Sequence, residues 1–165
     1  MKCITEFLQT FTENTDRRKS SKGIIIYNNK ILIVRIQTGC HAEGIWDLPG
    51  GGIENNETPI DALKREVKEE TNLELDPSSI KRLSGDTNFD IPEDGVHARW
   101  IYFKANALSS NVVLNPAKWL NGKPEHSEYK WLDSLTELEQ LDMCDEHKSI
   151  LKSILKSLVK KVNKF

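Results

Sequence analysis

At 165 residues, 38% of them hydrophobic and 29% charged, the chain has the length for one domain with a core around a sheet, and its composition excludes disorder and fibres. Lys and Arg number 23 against 25 Asp and Glu, a formal net charge of -2, which excludes a general basic field and with it stable binding to a nucleic-acid duplex. Cys3, Cys40 and Cys144 form no CxxC pair and no segment reaches the roughly 18 apolar residues of a membrane span, so neither a disulfide framework, a zinc site nor a membrane association is expected, and a reducing cytoplasm fits.

Residues 1–20 read as an N-terminal extension, without the apolar core of an export signal, in which Ile4, Phe7, Leu8 and Phe11 suggest a short amphipathic helix over 4–12. GIIIY and ILIVRI follow as two β-branched runs flanking Asn28-Asn29-Lys30, a hairpin signal because Asn tolerates the left-handed turn. Residues 37–45 have the character of a loop, which runs through Trp46-Asp47-Leu48-Pro49 into Gly50-Gly51-Gly52. Thr58, Pro59 and Asp61 supply a capping hydroxyl, a first-turn proline and a first-turn acid, so a helix is expected over 59–71 with Asn72 as its left-handed cap. The stretch 75–96 has no clear period, HARWIYFKANAL reads as a strand, and 109–127 reads as a long loop. A strand over 128–132, a short helix over 134–141 and a longer one over 145–162 complete the chain; Ile150, Leu151, Ile154, Leu155, Leu158 and Val162 form the last helix's stripe.

The chemistry concentrates on the helix at 59–71. Its period puts Glu66, Glu69 and Glu70 on one face and Ile60, Leu63 and Val67 on the opposite one. Like charges at that spacing destabilise a helix unless cations neutralise them, and oxygen donors favour magnesium or manganese over zinc. A solvated surface is the ordinary reading of such a charge run. The wider spacing argues against it: Gly51 is followed after five residues by Glu57, and Glu57 after seven by Arg65-Glu66-Val67-Lys68-Glu69-Glu70-Thr71-Asn72-Leu73.

That series resembles the signature box of the Nudix hydrolase family, of the MutT-like kind, and matches all its specified positions but the last glycine, here Asn72. Asn is the best replacement for Gly where a helix ends left-handed. The resemblance extends outward through WDLPGGGIE and, more weakly, to Trp131. It implies an α/β/α sandwich with a mixed β-sheet, formed as a single domain over 1–165 with a C-terminal helix at 145–165. It also implies a Mg2+- or Mn2+-dependent pyrophosphohydrolase acting on the diphosphate bond of a small nucleoside polyphosphate or nucleoside diphosphate derivative. By the same resemblance Glu66, Glu69 and Glu70 bind metal, joined by the backbone carbonyl of Gly50 and by Glu54. Arg65 orients the carboxylates through Glu69 or Glu57, and the proton of the attacking water goes to Glu66 inside the box or to Glu125 outside it, with Glu128 as the competitor. Arg35, Trp46 and Gly51 are the expected substrate contacts.

Alternative readings are an ADP-ribose or nucleotide-sugar pyrophosphatase, an isomerase on the same fold, and a non-catalytic nucleotide-binding module; the intact acidic positions favour hydrolysis. A homodimer stays open. Trp100, Trp119 and Trp131 read as anchors, and the four histidines lack metal spacing, with only His126 expected near the site through its neighbour Glu125. Lys148, Lys152, Lys156 and Lys160 read as the solvated side of a docked terminal helix rather than a membrane face.

Overall fold

A computed structural model describes residues 18–37, 43–84, 87–91, 96–115, 119–120 and 123–162. The expected helix at 4–12, Cys3, Cys40, His41 and Pro116 lie outside the described residues. The elements run β1 (Arg18–Tyr27), β2 (Lys30–Ile36), β3 (Trp46–Asp47), α1 (Pro59–Thr71), a 3-10 turn (Pro77–Ser79), β4 (Lys81–Arg82), β5 (Thr87–Ile91) and β6 (Val96–Asn106). Then come β7 (Trp119–Leu120), β8 (Lys123–Pro124), β9 (His126–Leu132), α2 (Leu135–Gln140) and α3 (Asp145–Val162). β1 thus begins inside the stretch read as an extension.

Among the described residues seven strands form one mixed sheet, ordered β3-β2-β1-β6-β4, with β9 also on β2 and β5 also on β6. Asn28 and Asn29, at φ 46° and 62°, make the two-residue turn between β1 and β2, as their tolerance of the left-handed region predicts. β1 runs parallel to β6 from Arg18↔Ala98 to Ile26↔Asn106. Alternation along the strands loads both faces. Ile24, Ile26, Ile31 and Ile33 pack with Leu138, Leu151, Leu155 and Leu158 of α2 and α3, while Ile25 and Leu32 pack with Leu63 and Val67 of α1. Helices therefore cover both sides of the sheet, the α/β/α sandwich of the expectation.

Three expectations need correction. The stretch 75–96 contains the 3-10 turn, β4 and β5, and both strands pair antiparallel with β6. The expected loop 109–127 contains β7 and β8, and β9 starts at His126 rather than at Glu128. Finally, Ile60 is 39% exposed, whereas Glu66 and Glu70 are buried at 7% and 2%, so α1 is not divided simply into a wet acidic face and a dry apolar one.

Candidate active site

β1 and β2 pair only beside their turn, and the chain from Pro49 to Ile53 enters the split between them. The Ser21 amide donates to Gly51 O at 2.9 Å, the Gly23 amide to Pro49 O at 2.8 Å and the Ile53 amide to Lys19 O at 3.0 Å. This seam presses the glycine loop against the sheet on one side and α1 on the other. Gly50 has φ 131° and a Cβ there would run into the carbonyl oxygen of Ser21. A Cβ on Gly51 would stand 2.6 Å from the Glu66 carboxyl carbon. The glycines thus let buried carboxylates approach the backbone.

α1 supplies those carboxylates. Thr58 caps its start by accepting from the Asp61 amide, Pro59 opens it, and Asn72 closes it at φ 57°. Glu70 Oε2 accepts from the Gly50 amide at 2.9 Å, which fixes it at the head of the loop. Arg65 ties the remaining acids together: its Nε and Nη2 both reach Glu57 at 2.9 Å, its Nη1 reaches Glu66 at 2.8 Å and Glu69 at 3.5 Å, and Nη2 also donates to Gly52 O at 2.9 Å. The hydrogen bonds to Glu57 do most to raise the guanidinium pKa, against the opposing effect of burial and with help from Glu66. The Glu57 carboxyl is correspondingly held below its ordinary range, chiefly by Arg65. Arg65 orients the acids mainly through Glu57 and Glu66, with Glu69 the weakest contact.

The structure brings Glu125 to this same corner. The amide of Gln37 donates to its carbonyl at 2.8 Å, tying it to the end of β2, and ligand atoms of Glu70, Glu125 and His126 all lie within 4.8 Å of one another. Glu128 lies elsewhere, in an exposed pair with Arg35 at 2.6 Å. Glu54 is exposed, and its amide donates to Glu57 at 3.0 Å. Trp46 is buried at 9% in the cluster under α2 and α3, with Arg35 and Lys130 at 6.0 and 5.5 Å from its ring centre. Arg35 and Trp46 therefore sit toward the sheet face opposite α1, and packing rather than substrate stacking accounts for the burial of Trp46.

A buried polar chain behind the site has no counterpart in the sequence expectations. The Lys22 ammonium contacts Asp47 at 2.7 Å, and His147 Nδ1 contacts the other Asp47 oxygen at 3.1 Å. Burial alone would lower the Lys22 pKa, yet Asp47, with Glu70 and Glu125 contributing, raises it. Burial likewise opposes ionisation of Asp47, but Lys22 and His147 hold its pKa well below the ordinary value. One signal was available: His147 shares the buried stripe of α3 with Leu151, a polar residue at an apolar position.

A family model described as the NUDIX domain matches residues 17–154. Among curated proteins, an RNA pyrophosphohydrolase of Bartonella clarridgeiae is 31% identical over 129 residues, spanning 67% of this chain and 73% of its own length. The RNA pyrophosphohydrolase of Bartonella henselae is 31% identical over 137 residues, spanning 70% and 76%. Among solved structures, a MutT NUDIX hydrolase from Burkholderia pseudomallei aligns with TM-score 0.63 at 20% identity, over 86% of this chain and 97% of that one. A MutT protein from Methanosarcina mazei Go1 aligns with TM-score 0.61 at 23% identity, over 93% and 100%. These likenesses support the fold.

Proposed function

The chain belongs to the Nudix family as a pyrophosphohydrolase, and from that premise we propose that it hydrolyses, with Mg2+ or Mn2+, a diphosphate bond in a nucleoside polyphosphate or nucleoside diphosphate derivative. One observation carries the reading: Arg65 holds Glu57 and Glu66 beside a buried Glu70, with Glu125 brought to the same corner from the junction of β8 and β9. The donor set of Glu66, Glu69 and Glu70, extended by the Gly50 carbonyl and Glu54, is made of hard oxygens and suits such a cation. When bound, the cation neutralises diphosphate oxygens and makes water more acidic.

The chain's own residues supply the rest. Arg65 keeps the acids from splaying apart, and Gly51 leaves room for the Glu66 carboxylate against the loop backbone. Glu125 is the candidate to take the proton of the attacking water, because Glu66 is engaged by Arg65 at 2.8 Å and packed against Gly51 so closely that a Cβ there would collide with it.

The curated relatives favour a second, narrower reading, in which the diphosphate bond lies at the 5′ end of an RNA. A single-stranded end needs no duplex-binding field, so the net charge of -2 is compatible with it. Both readings are tested by incubating the chain with nucleoside triphosphates, nucleotide sugars, dinucleoside polyphosphates and a 5′-triphosphorylated RNA, with Mg2+ and with excess chelator. Cation-dependent cleavage is expected of at least one, read as free phosphate or diphosphate from the triphosphates and as two phosphorylated halves from the nucleotide sugars and dinucleoside polyphosphates. Turnover unchanged in chelator would remove the metal mechanism, and no hydrolysis of any of them would remove the substrate reading.

A further inference from the structure

β9 pairs with β2 through Leu32↔Trp131, Ile33↔Lys130, Val34↔Tyr129 and Arg35↔Glu128, but the next partner of Ile36 is His126, not Ser127. Ser127 is therefore an extra residue, a β-bulge, and its consequence is directional. Leu132 belongs to the cluster under α2 and α3, and Lys130 and Glu128 lie on that same face beside Trp46 and Arg35. Unbroken alternation would send His126 there too. Instead an imidazole nitrogen lies within 4.8 Å of a carboxylate oxygen of Glu70, which rises from α1 on the opposite face. The bulge has moved one histidine across the sheet edge and into the carboxylate site.

We propose that His126 supplies a nitrogen ligand to a divalent cation held with Glu70, and that this makes the site prefer Mn2+ to Mg2+. The inference rests on the metal-dependent reading above and deepens it. Donor atoms about 2.1 Å from one octahedral cation are roughly 3 to 4.2 Å apart, so a spread within 4.8 Å closes onto an ion with small side-chain movements. Imidazole adds affinity for a transition ion and little for Mg2+, which prefers oxygen. Glu125, in the same cluster, then stands beside the ion, the place a proton acceptor needs. An oxygen-only ligand set, as the box residues alone imply, is thus incomplete for this chain.

The test is pulsed electron paramagnetic resonance on the full chain loaded with Mn2+, comparing natural-abundance protein with protein labelled with 15N-histidine. The expected result is a directly bonded nitrogen coupling that changes on labelling and vanishes in His126→Gln. In competition titrations that variant should lose ~tenfold of the Mn2+ over Mg2+ preference while its Mg2+ affinity stays within about threefold. Bound Mn2+ without a histidine coupling, or an unchanged preference in the variant, overturns the assignment of His126 and leaves the metal-dependent reading standing. Failure of either ion to bind overturns both. The labelling comparison uses unsubstituted protein and does not depend on the variant folding.

Discussion

Arg65 shows how much of the site rests on a single side chain. Its planar fork meets both oxygens of Glu57 at 2.9 Å while another nitrogen reaches Glu66, a geometry a lysine ammonium cannot reproduce. Arg65→Lys should therefore keep the charge yet lower turnover by roughly tenfold or more and leave the fold in place, checked by steady-state kinetics alongside circular dichroism. Glu125 and Glu128 separate at the same scale. Glu125 stands with Glu70 and His126, whereas Glu128 spends its carboxylate on Arg35 at the surface. Glu125→Gln should reduce kcat at least about tenfold more than Glu128→Gln does, and equal, near-wild-type kinetics in both variants would show that neither takes part. The box acids and Glu125 were legible in the sequence from spacing and from the resemblance. His126 was legible only as a neighbour of Glu125, because periodicity cannot announce a bulge.

α1 was the most legible element. Thr58, Pro59, Asp61 and Asn72 each carry a local preference that acts before any tertiary contact, and the helix ends where they say. Asn72→Ala should cost about 1 kcal/mol in urea denaturation, since alanine is penalised at φ 57°, while Asn72→Gly should cost nothing. Burial of Glu66 and Glu70 was not legible, because it depends on the glycine loop entering the split between β1 and β2. The Lys22–Asp47–His147 chain was hidden for a related reason: the first pair alone is separated by 25 residues, and no local pattern joins them. Removing one member strands a buried charge. Lys22→Met should destabilise the fold by roughly 3–5 kcal/mol, and a melting temperature equal to that of the unaltered chain would show that the pair is not structural.

For the whole molecule, the same chain sets a pH window. Asp47 is pulled below its ordinary 3.8, so its contribution is present above that value and disappears as pH falls through the folded-state pKa. Lys22 is pulled above its ordinary 10.5, so its contribution is complete below that value and disappears as pH rises through the folded-state pKa. Thermal stability should thus carry both contributions between about pH 4 and 10 and fall on either side, and in Lys22→Met the acid limb should flatten. The sandwich itself was legible through the resemblance of the 51–73 series to the Nudix box, while periodicity alone showed only strands, a glycine loop and an amphipathic helix. The paired strands in 75–96 and 109–127 were not, since β4 and β5 depend on β6 for pairing, and β7 and β8, of two residues each, are too short for a period to show.

Under the proposed function the carboxylates of α1 are chemical rather than merely surface groups, and Glu69 is the sharpest probe of them. Its side chain is 43% exposed and meets Arg65 at 3.5 Å, a longer contact than those of Arg65 to Glu57 and Glu66, so neutralising it leaves Glu57 and Glu66 held and Glu70 on Gly50. The measurement is kcat of Glu69→Gln for diphosphate-bond hydrolysis at saturating Mg2+, with the melting temperature taken on the same sample. A fall of about a hundredfold or more in a protein that melts no lower than the unaltered chain is the predicted result, whereas full turnover in that variant would contradict the assignment of the site.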